Sequence, residues 1–249
     1  MLGASLRAVA GAVSFLTIVP LGRAVGVEPR DVARGVVLFP AVGAGVGALT
    51  GAIAVALHPW LPALPAAAVA LAVAVLVTGA LHVDGLADTF DAAGGRSRER
   101  ALEIMRDSKL GTFGASALAL DILLKAGAIS ALVVRGGTVS ALIAAGALSR
   151  ATSPPLAAEL PYPRAGAGPG SVITGAPRLL ATLAVGIGIA IAVLAVGGDG
   201  LWLGLAAAVV ALVAGLVFRG WLGGATGDCL GAATELCETT VLIVAAGLA

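Results

Sequence analysis

Within LHVDGLADTFDAAGGRSRER, residues 81–100, Asp84, Asp88 and Asp91 stand at i, i+4 and i+7. On a helix of 3.6 residues per turn that spacing sets all three carboxylates on one stripe. Like charges side by side repel, so the stripe needs a partner. A hard divalent cation is the natural one, because Mg²⁺ is held by a few carboxylates together with waters and substrate phosphates. Arg96, Arg98 and Arg100 offer the plainer alternative of a solvated helix end. Some twenty almost wholly apolar residues come directly before the stripe, and at a membrane boundary a desolvated acidic cluster is costly unless it is used. The spacing is therefore read as a Mg²⁺ site with Asp84, Asp88 and Asp91 as ligands.

A second acidic set lies in WLGGATGDCLGAATELCE, residues 221–238. Asp228 and Glu235 are again i, i+7 and share a helix face, with Glu238 about 80 degrees away. Gly227 and Gly231 form a GxxxG step that reads as helix packing. The two acids, inside or at the edge of an apolar segment, have no such easy reading. Two acidic sets converging from different helices suggest a metal-bridged pyrophosphate.

Between them comes RALEIMRDSKLGTFG, residues 100–114. Glu103 and Asp107 are i, i+4, and Arg106 and Lys109 supply cations. Gly111 and Gly114 let backbone amides approach an anion at the start of the next apolar segment, where the helix dipole favours negative charge. Joined to the stripe, this reads as a phosphate-handling loop. Asp121 and Lys125, i, i+4 within a span, read as an internal ion pair, with Lys125 a second candidate for substrate contact. His82 is placed to ligate metal, to hydrogen-bond a phosphate, or simply to mark an interface. Arg150 and Arg164 suit a substrate phosphate or a lipid headgroup. Gly43, Gly47 and Gly51, four residues apart, read as a helix contact.

The elements that carry these residues are membrane helices. The chain is 59% hydrophobic and 12% charged, with mean hydropathy +1.06, far from soluble usage of roughly 45 to 50% apolar and 25% charged. Apolar stretches at 35–57, 62–81, 112–134, 138–158, 178–197, 201–219 and 229–248 are each about the 20 residues that a span needs. They predict an all-α polytopic transmembrane bundle of about seven spans, residues 1–249 forming one integral membrane domain. Residues 4–19 add an N-terminal interfacial helix or short span, without a clear cleavage site for a signal peptide. If alternate loops share a side, one side holds Arg7, Arg23, Arg30, Arg34, Arg96, Arg98, Arg100, Arg106, Lys109, Arg150, Arg164, Arg178 and Arg219, and the other only Arg135. The positive-inside rule makes the basic side cytoplasmic, and nearly all the acidic residues share it. The net charge of +1 carries no nucleic-acid signature, and Cys229 with Cys237 matches neither a zinc pattern nor a disulfide framework.

The chain resembles the cobalamin synthase family, the adenosylcobinamide-GDP ribazoletransferases or cobalamin-5'-phosphate synthases. The resemblance rests on FLTIVP (15–20), FPAVGAGVG (39–47), TGALHVDGLADTFDA (78–92), RERALEIMRDSKLGTFGA (98–115), LSRA (148–151) and GGATGDCLGAATELCE (223–238), in family order. The segment PYPRAGAGPGSVITG matches only loosely, so no role passes to Arg164. The resemblance implies a bacterial inner-membrane enzyme with its active site facing the cytoplasm. It joins adenosylcobinamide-GDP to alpha-ribazole or its 5'-phosphate, releases GMP and requires Mg²⁺. On that reading a ribose hydroxyl attacks the phosphorus attached to cobinamide. Asp84, Asp88 and Asp91 hold metal against the pyrophosphate, and Asp228 and Glu235 serve a second metal or accept the hydroxyl proton. His82, Arg106, Asp107, Lys109, Lys125 and Arg150 complete the substrate contacts. The lipid bilayer is the other partner, and assembly into a homo-oligomer is left open.

CDP-alcohol phosphotransferases and prenyltransferases use similar aspartate stripes, but the former carry DGxxAR, and here Ala87 and Asp88 follow Asp84-Gly85-Leu86. A transporter would place its ionisable residues near mid-membrane, often with an internal repeat. No convincing repeat is visible, and the charges read as clustered at one face.

Overall fold

The computed structural model describes residues 2–107, 109–164 and 169–249; Ser108 of the RDSK segment and residues 165–168 of the PYPRAGAGPG break lie outside them. The described residues form helices and no strands: α1 (Leu2–Leu16), α2 (Leu21–Val25), α3 (Pro29–Gly35), α4 (Phe39–Leu57), α5 (Ala63–Val77), α6 (Leu81–Ala92), α7 (Arg98–Ile104), α8 (Thr112–Arg135), α9 (Thr138–Glu159), α10 (Arg178–Val196), α11 (Asp199–Leu222) and α12 (Gly227–Leu248). Each of the seven apolar stretches is helical. Five helical stretches are long and apolar enough to cross a membrane, or six if α5 and α6 count as one bent span. The expected seventh is α9, and its exception has a physical reason. α9 is buried along most of its length against α4, α10 and α12, so it meets protein rather than lipid and can carry Ser149, Arg150, Thr152 and Ser153. α4 crosses it closely, since a Cβ on Gly43 would run into the carbonyl of Gly146.

The segment expected at 62–81 also departs from a straight span. α5 and α6 meet at 91°. Gly79 (φ 59°) and Ala80 (φ 58°) both adopt the left-handed conformation there, which costs a non-glycine residue roughly 1–2 kcal/mol. The break is braced from outside: the Ile18 N–H donates to the Val77 carbonyl at 2.8 Å. α1 stops at Leu16, short of the predicted residue 19, and packs on α2 and α3, with Arg7 3.5 Å from the buried Asp31 carboxylate.

The antiparallel helices sort the connections into two ends. At one end, Ala225 donates to the Pro161 carbonyl (3.1 Å), Arg98 lies against Gly223 and Phe113 beside Gly94, which gathers the described residues near 93–107, 160–164 and 223–226. At the other, Arg135 donates to the Ala246 carbonyl at 3.0 Å, and Gly136, Gly137, Val196 and Asp199 share a cavity with Leu248. The acidic stripe is at the first end.

Candidate active site

The stripe forms as its spacing requires. Asp84, Asp88 and Asp91 lie on α6, and the glycine following Asp84 determines what they meet. A Cβ on Gly85 would sit 2.8 Å from the Asp228 carbonyl oxygen and 3.2 Å from the Gly231 Cα. Gly85 and Gly231 thus let α6 and α12 touch, and the contact brings Asp228 to the stripe. Asp84, Asp91 and Asp228 surround Asp88 with like charge, and Arg164 is the opposing charge.

The four carboxylates differ in their partners. Asp91 is engaged by the protein itself: its two oxygens accept from the Gly111 N–H and the Gly114 N–H, both at 2.7 Å, across the N-terminus of α8. The glycine pair does present amides to an anion, as its sequence suggests, and the anion found there is Asp91. Asp228 accepts from Arg164 Nη2 at 2.7 Å and from the Thr226 hydroxyl at 3.3 Å. Asp84 and Asp88 have no hydrogen-bond or ion-pair partner among the described residues, and Arg96, Arg98 and Arg100 do not pair with the stripe. Arg100 pairs with Glu103 instead, at 2.6 Å.

A cleft of ≈130 Å³ opens where these groups converge, lined by His82, Asp84, Tyr162, Arg164, Asp228 and Thr234 among others. Among the described residues no group of three or more His, Cys, Asp or Glu side chains is placed to hold a metal ion. The donors therefore do not form a protein-only cage. The unpartnered Asp84 at the cleft, with the unpartnered Asp88 beside it on the stripe, does suit Mg²⁺, which takes one or two carboxylates and completes its shell with waters and phosphate oxygens.

The remaining expected residues divide into two places. Arg106, Asp107 and Lys109 lie exposed on the connection from α7 to α8, where the Asp107 carboxylate accepts from the Lys109 N–H at 3.3 Å; none lines the cleft. Lys125, Arg150 and Glu235 are buried in mid-bundle. Lys125 joins Glu235 and stands 3.2 Å from Asp121 and 3.8 Å from Glu238. Arg150 joins Glu238, and Thr239 donates to Asp121. Asp228 and Glu235 therefore part company despite sharing a helix face, the first at the cleft and the second one layer deeper. The charges are not confined to one end of the bundle, as the sequence suggested. His82 bridges the two layers: it lines the cleft, its buried Nδ1 has no partner among the described residues, and Arg150, Glu235 and Lys125 act on it electrostatically.

Sequence reasoning offered Arg164 only as a contact for a substrate phosphate or a lipid headgroup, without tying it to the acidic residues, and gave Tyr162, Thr226 and Thr234 no weight at all. Their signal was faint. Arg164 reaches Asp228 across 64 residues, and only the otherwise unexplained PYPR segment hinted at it.

The chain is 41% identical over 238 residues to an adenosylcobinamide-GDP ribazoletransferase of Escherichia coli (strain K12), covering 92% of this chain and 95% of that one. The same name belongs to a relative in Escherichia coli O157:H7, also 41% identical over the same shares, and to one in Shigella flexneri, 40% identical over 241 residues. No solved structure matches. The residues that build the cleft, from Phe15 to Thr234, all fall within the stretch 8–246 that matches the family CobS, Cobalamin-5-phosphate synthase, and the chain belongs to that family.

Proposed function

We propose that the cleft catalyses transfer of the phosphocobinamide group of adenosylcobinamide-GDP to alpha-ribazole or its 5'-phosphate. A ribose hydroxyl oxygen forms a bond to the phosphorus attached to cobinamide, the bond from that phosphorus to the GMP oxygen breaks, GMP leaves, and the hydroxyl proton is lost. The observation that carries this reading is the unpartnered carboxylate of Asp84, which lines one cleft with Arg164 and Asp228, with the unpartnered Asp88 close enough to feel the charge of all three. Such a site can hold a diphosphate between fixed charges, which is most of what phosphoryl transfer asks of a protein. Bound there, Mg²⁺ would neutralise charge developing on the leaving phosphate oxygens. Asp84 and Asp88 are its proposed ligands, with Asp228 nearby, while Asp91 fixes the start of α8 behind them. Arg164 orients a phosphate oxygen. At ≈130 Å³ the cleft is smaller than the roughly 300–1,000 Å³ of sites that enclose a drug-sized ligand, so it takes the diphosphate and leaves the corrin ring outside. We place this face on the cytoplasmic side of the inner membrane, because the basic residues collect there.

The test is GMP release from adenosylcobinamide-GDP by the purified protein in lipid, with alpha-ribazole or its phosphate, with and without Mg²⁺. Turnover that depends on Mg²⁺ and falls by about 100-fold or more in Asp84→Asn is expected. Turnover in wild type with an undiminished mutant would remove Asp84 from the site. No turnover by folded protein would remove the reaction.

A further inference from the structure

Arg164 is the only arginine or lysine among the described residues lining the cleft, and it is spent on an acid of the same site. Its side chain is 12% exposed and that of Asp228 23%, so the pair is shielded from water without being sealed. Only Nη2 is engaged with Asp228; Nε is buried and has no partner among the described residues. Guanidinium has five donors in a fork suited to bidentate recognition of phosphate. Beside it, Asp84 and Asp88 are unpartnered, and no three-donor metal set exists among the described residues while Arg164 holds Asp228.

We propose that Arg164 is an exchange residue that holds Asp228 in the substrate-free enzyme and leaves it for the incoming diphosphate. A diphosphate brings more negative charge than one carboxylate and can accept from both Nε and Nη2, so it competes well for the guanidinium. Its departure frees Asp228 to join Asp84 and Asp88 around a divalent cation. Metal and diphosphate then promote each other's binding, and by linkage the promotion is equal in both directions. The pairing also keeps a cation from settling tightly in the empty cleft, where it would attract the wrong phosphates. This inference rests on the phosphoryl-transfer reading of the cleft and adds the order in which its charges are exchanged.

The test is Mn²⁺ binding to the substrate-free protein in nanodiscs, followed by the electron paramagnetic resonance signal of free Mn²⁺. Arg164→Gln is expected to bind Mn²⁺ about fivefold or more tightly than wild type. Adding Asp228→Asn to Arg164→Gln is expected to abolish that gain, whereas removal of a positive charge alone would leave the gain in place. Arg178→Gln removes an arginine that pairs with Glu159 and does not line the cleft, and it is expected to leave Mn²⁺ affinity as in wild type. Arg164→Lys keeps a cation against Asp228 and serves if Arg164→Gln does not fold: its Mn²⁺ affinity is expected to stay near that of wild type while its KM for adenosylcobinamide-GDP rises. Unchanged Mn²⁺ affinity in folded Arg164→Gln, or a gain that survives Asp228→Asn, overturns the exchange and leaves the reaction standing. The expected Mn²⁺ gain in a wild-type background that never releases GMP would overturn the reaction and leave the exchange standing.

Discussion

Gly85 lies against the backbone of Asp228, with room for a hydrogen and no more: a Cβ there would come within 2.8 Å of the Asp228 carbonyl oxygen and 3.1 Å of its Cα. This contact joins the two acidic sets, because it lets the start of α12 lie on the middle of α6. Gly85→Ala is expected to push the helices apart, lowering stability by about 1–3 kcal/mol and reducing GMP release more than the stability loss explains. Gly127→Ala provides the comparison. It adds a methyl where nothing lies within 4 Å on α8, and helix propensity predicts unchanged or raised stability. Thermal unfolding in detergent, read beside turnover per folded molecule, separates the two.

Asp91 does the work of a helix cap from a distance. Its carboxylate holds the Gly111 and Gly114 amides, and a Cβ on Gly114 would also come within 2.8 Å of the Ala87 carbonyl oxygen, so α8 starts pressed against α6. Asp91→Ala is expected to destabilise the protein by about 1–2 kcal/mol, the range for a lost cap with its favourable charge at a helix N-terminus. Asp91→Asn keeps one acceptor oxygen and should lose less. The Mg²⁺ concentration needed for half-maximal turnover should move strongly in Asp84→Asn and Asp88→Asn and little in Asp91→Asn. A large shift in Asp91→Asn without loss of stability would return Asp91 to the metal.

The mid-bundle ion network places Asp121, Glu235 and Glu238 around Lys125 and Arg150. Removing one member of a buried pair strands the other charge, at a cost of about 3–5 kcal/mol. Lys125→Met is therefore expected to unfold at markedly lower temperature. Adding Glu235→Gln should recover part of the loss, since it removes the stranded acid. If Lys125 instead contacts substrate, Lys125→Met would raise KM with little change in unfolding temperature.

What the sequence made legible follows from periodicity. The 3.6-residue repeat placed Asp84, Asp88 and Asp91 on one stripe and Asp121 beside Lys125, and the structure keeps both arrangements. Partners brought in by tertiary packing were not legible: Asp91 finds its amides 20 and 23 residues away, and Lys125 finds Glu235 across 110. The same limit explains Asp228 and Glu235, whose shared helix face did not reveal that α12 passes from the cleft into the interior. The stretch 138–158 was read as a span like the others, whereas α9 is wrapped by protein and answers to packing and hydrogen bonding, so it tolerates more polar residues than a lipid-facing helix. Arg164 was legible as a candidate for a phosphate or a headgroup, but its pairing was not, because its partner Asp228 lies on the last helix, 64 residues away.

Orientation in the bilayer can be read directly. The connection holding Lys109 and the segment around Pro161 and Gly224 lie at the end with the cleft, while His58 follows α4 at the far end and is exposed. Cys229 and Cys237 are both buried and unbridged, so a Cys229→Ala, Cys237→Ala background removes little beyond two small apolar groups and gives a chain without thiols. In that background, Lys109→Cys is expected to react with a membrane-impermeant maleimide only after the cells are opened, and His58→Cys in intact cells. The basis is the excess of Arg and Lys at the cleft end, which insertion retains in the cytoplasm. The reverse labelling pattern would put the cleft outside, away from any cytoplasmic supply of a nucleotide-activated substrate, and would make Asp84 and Asp88 a site for something else.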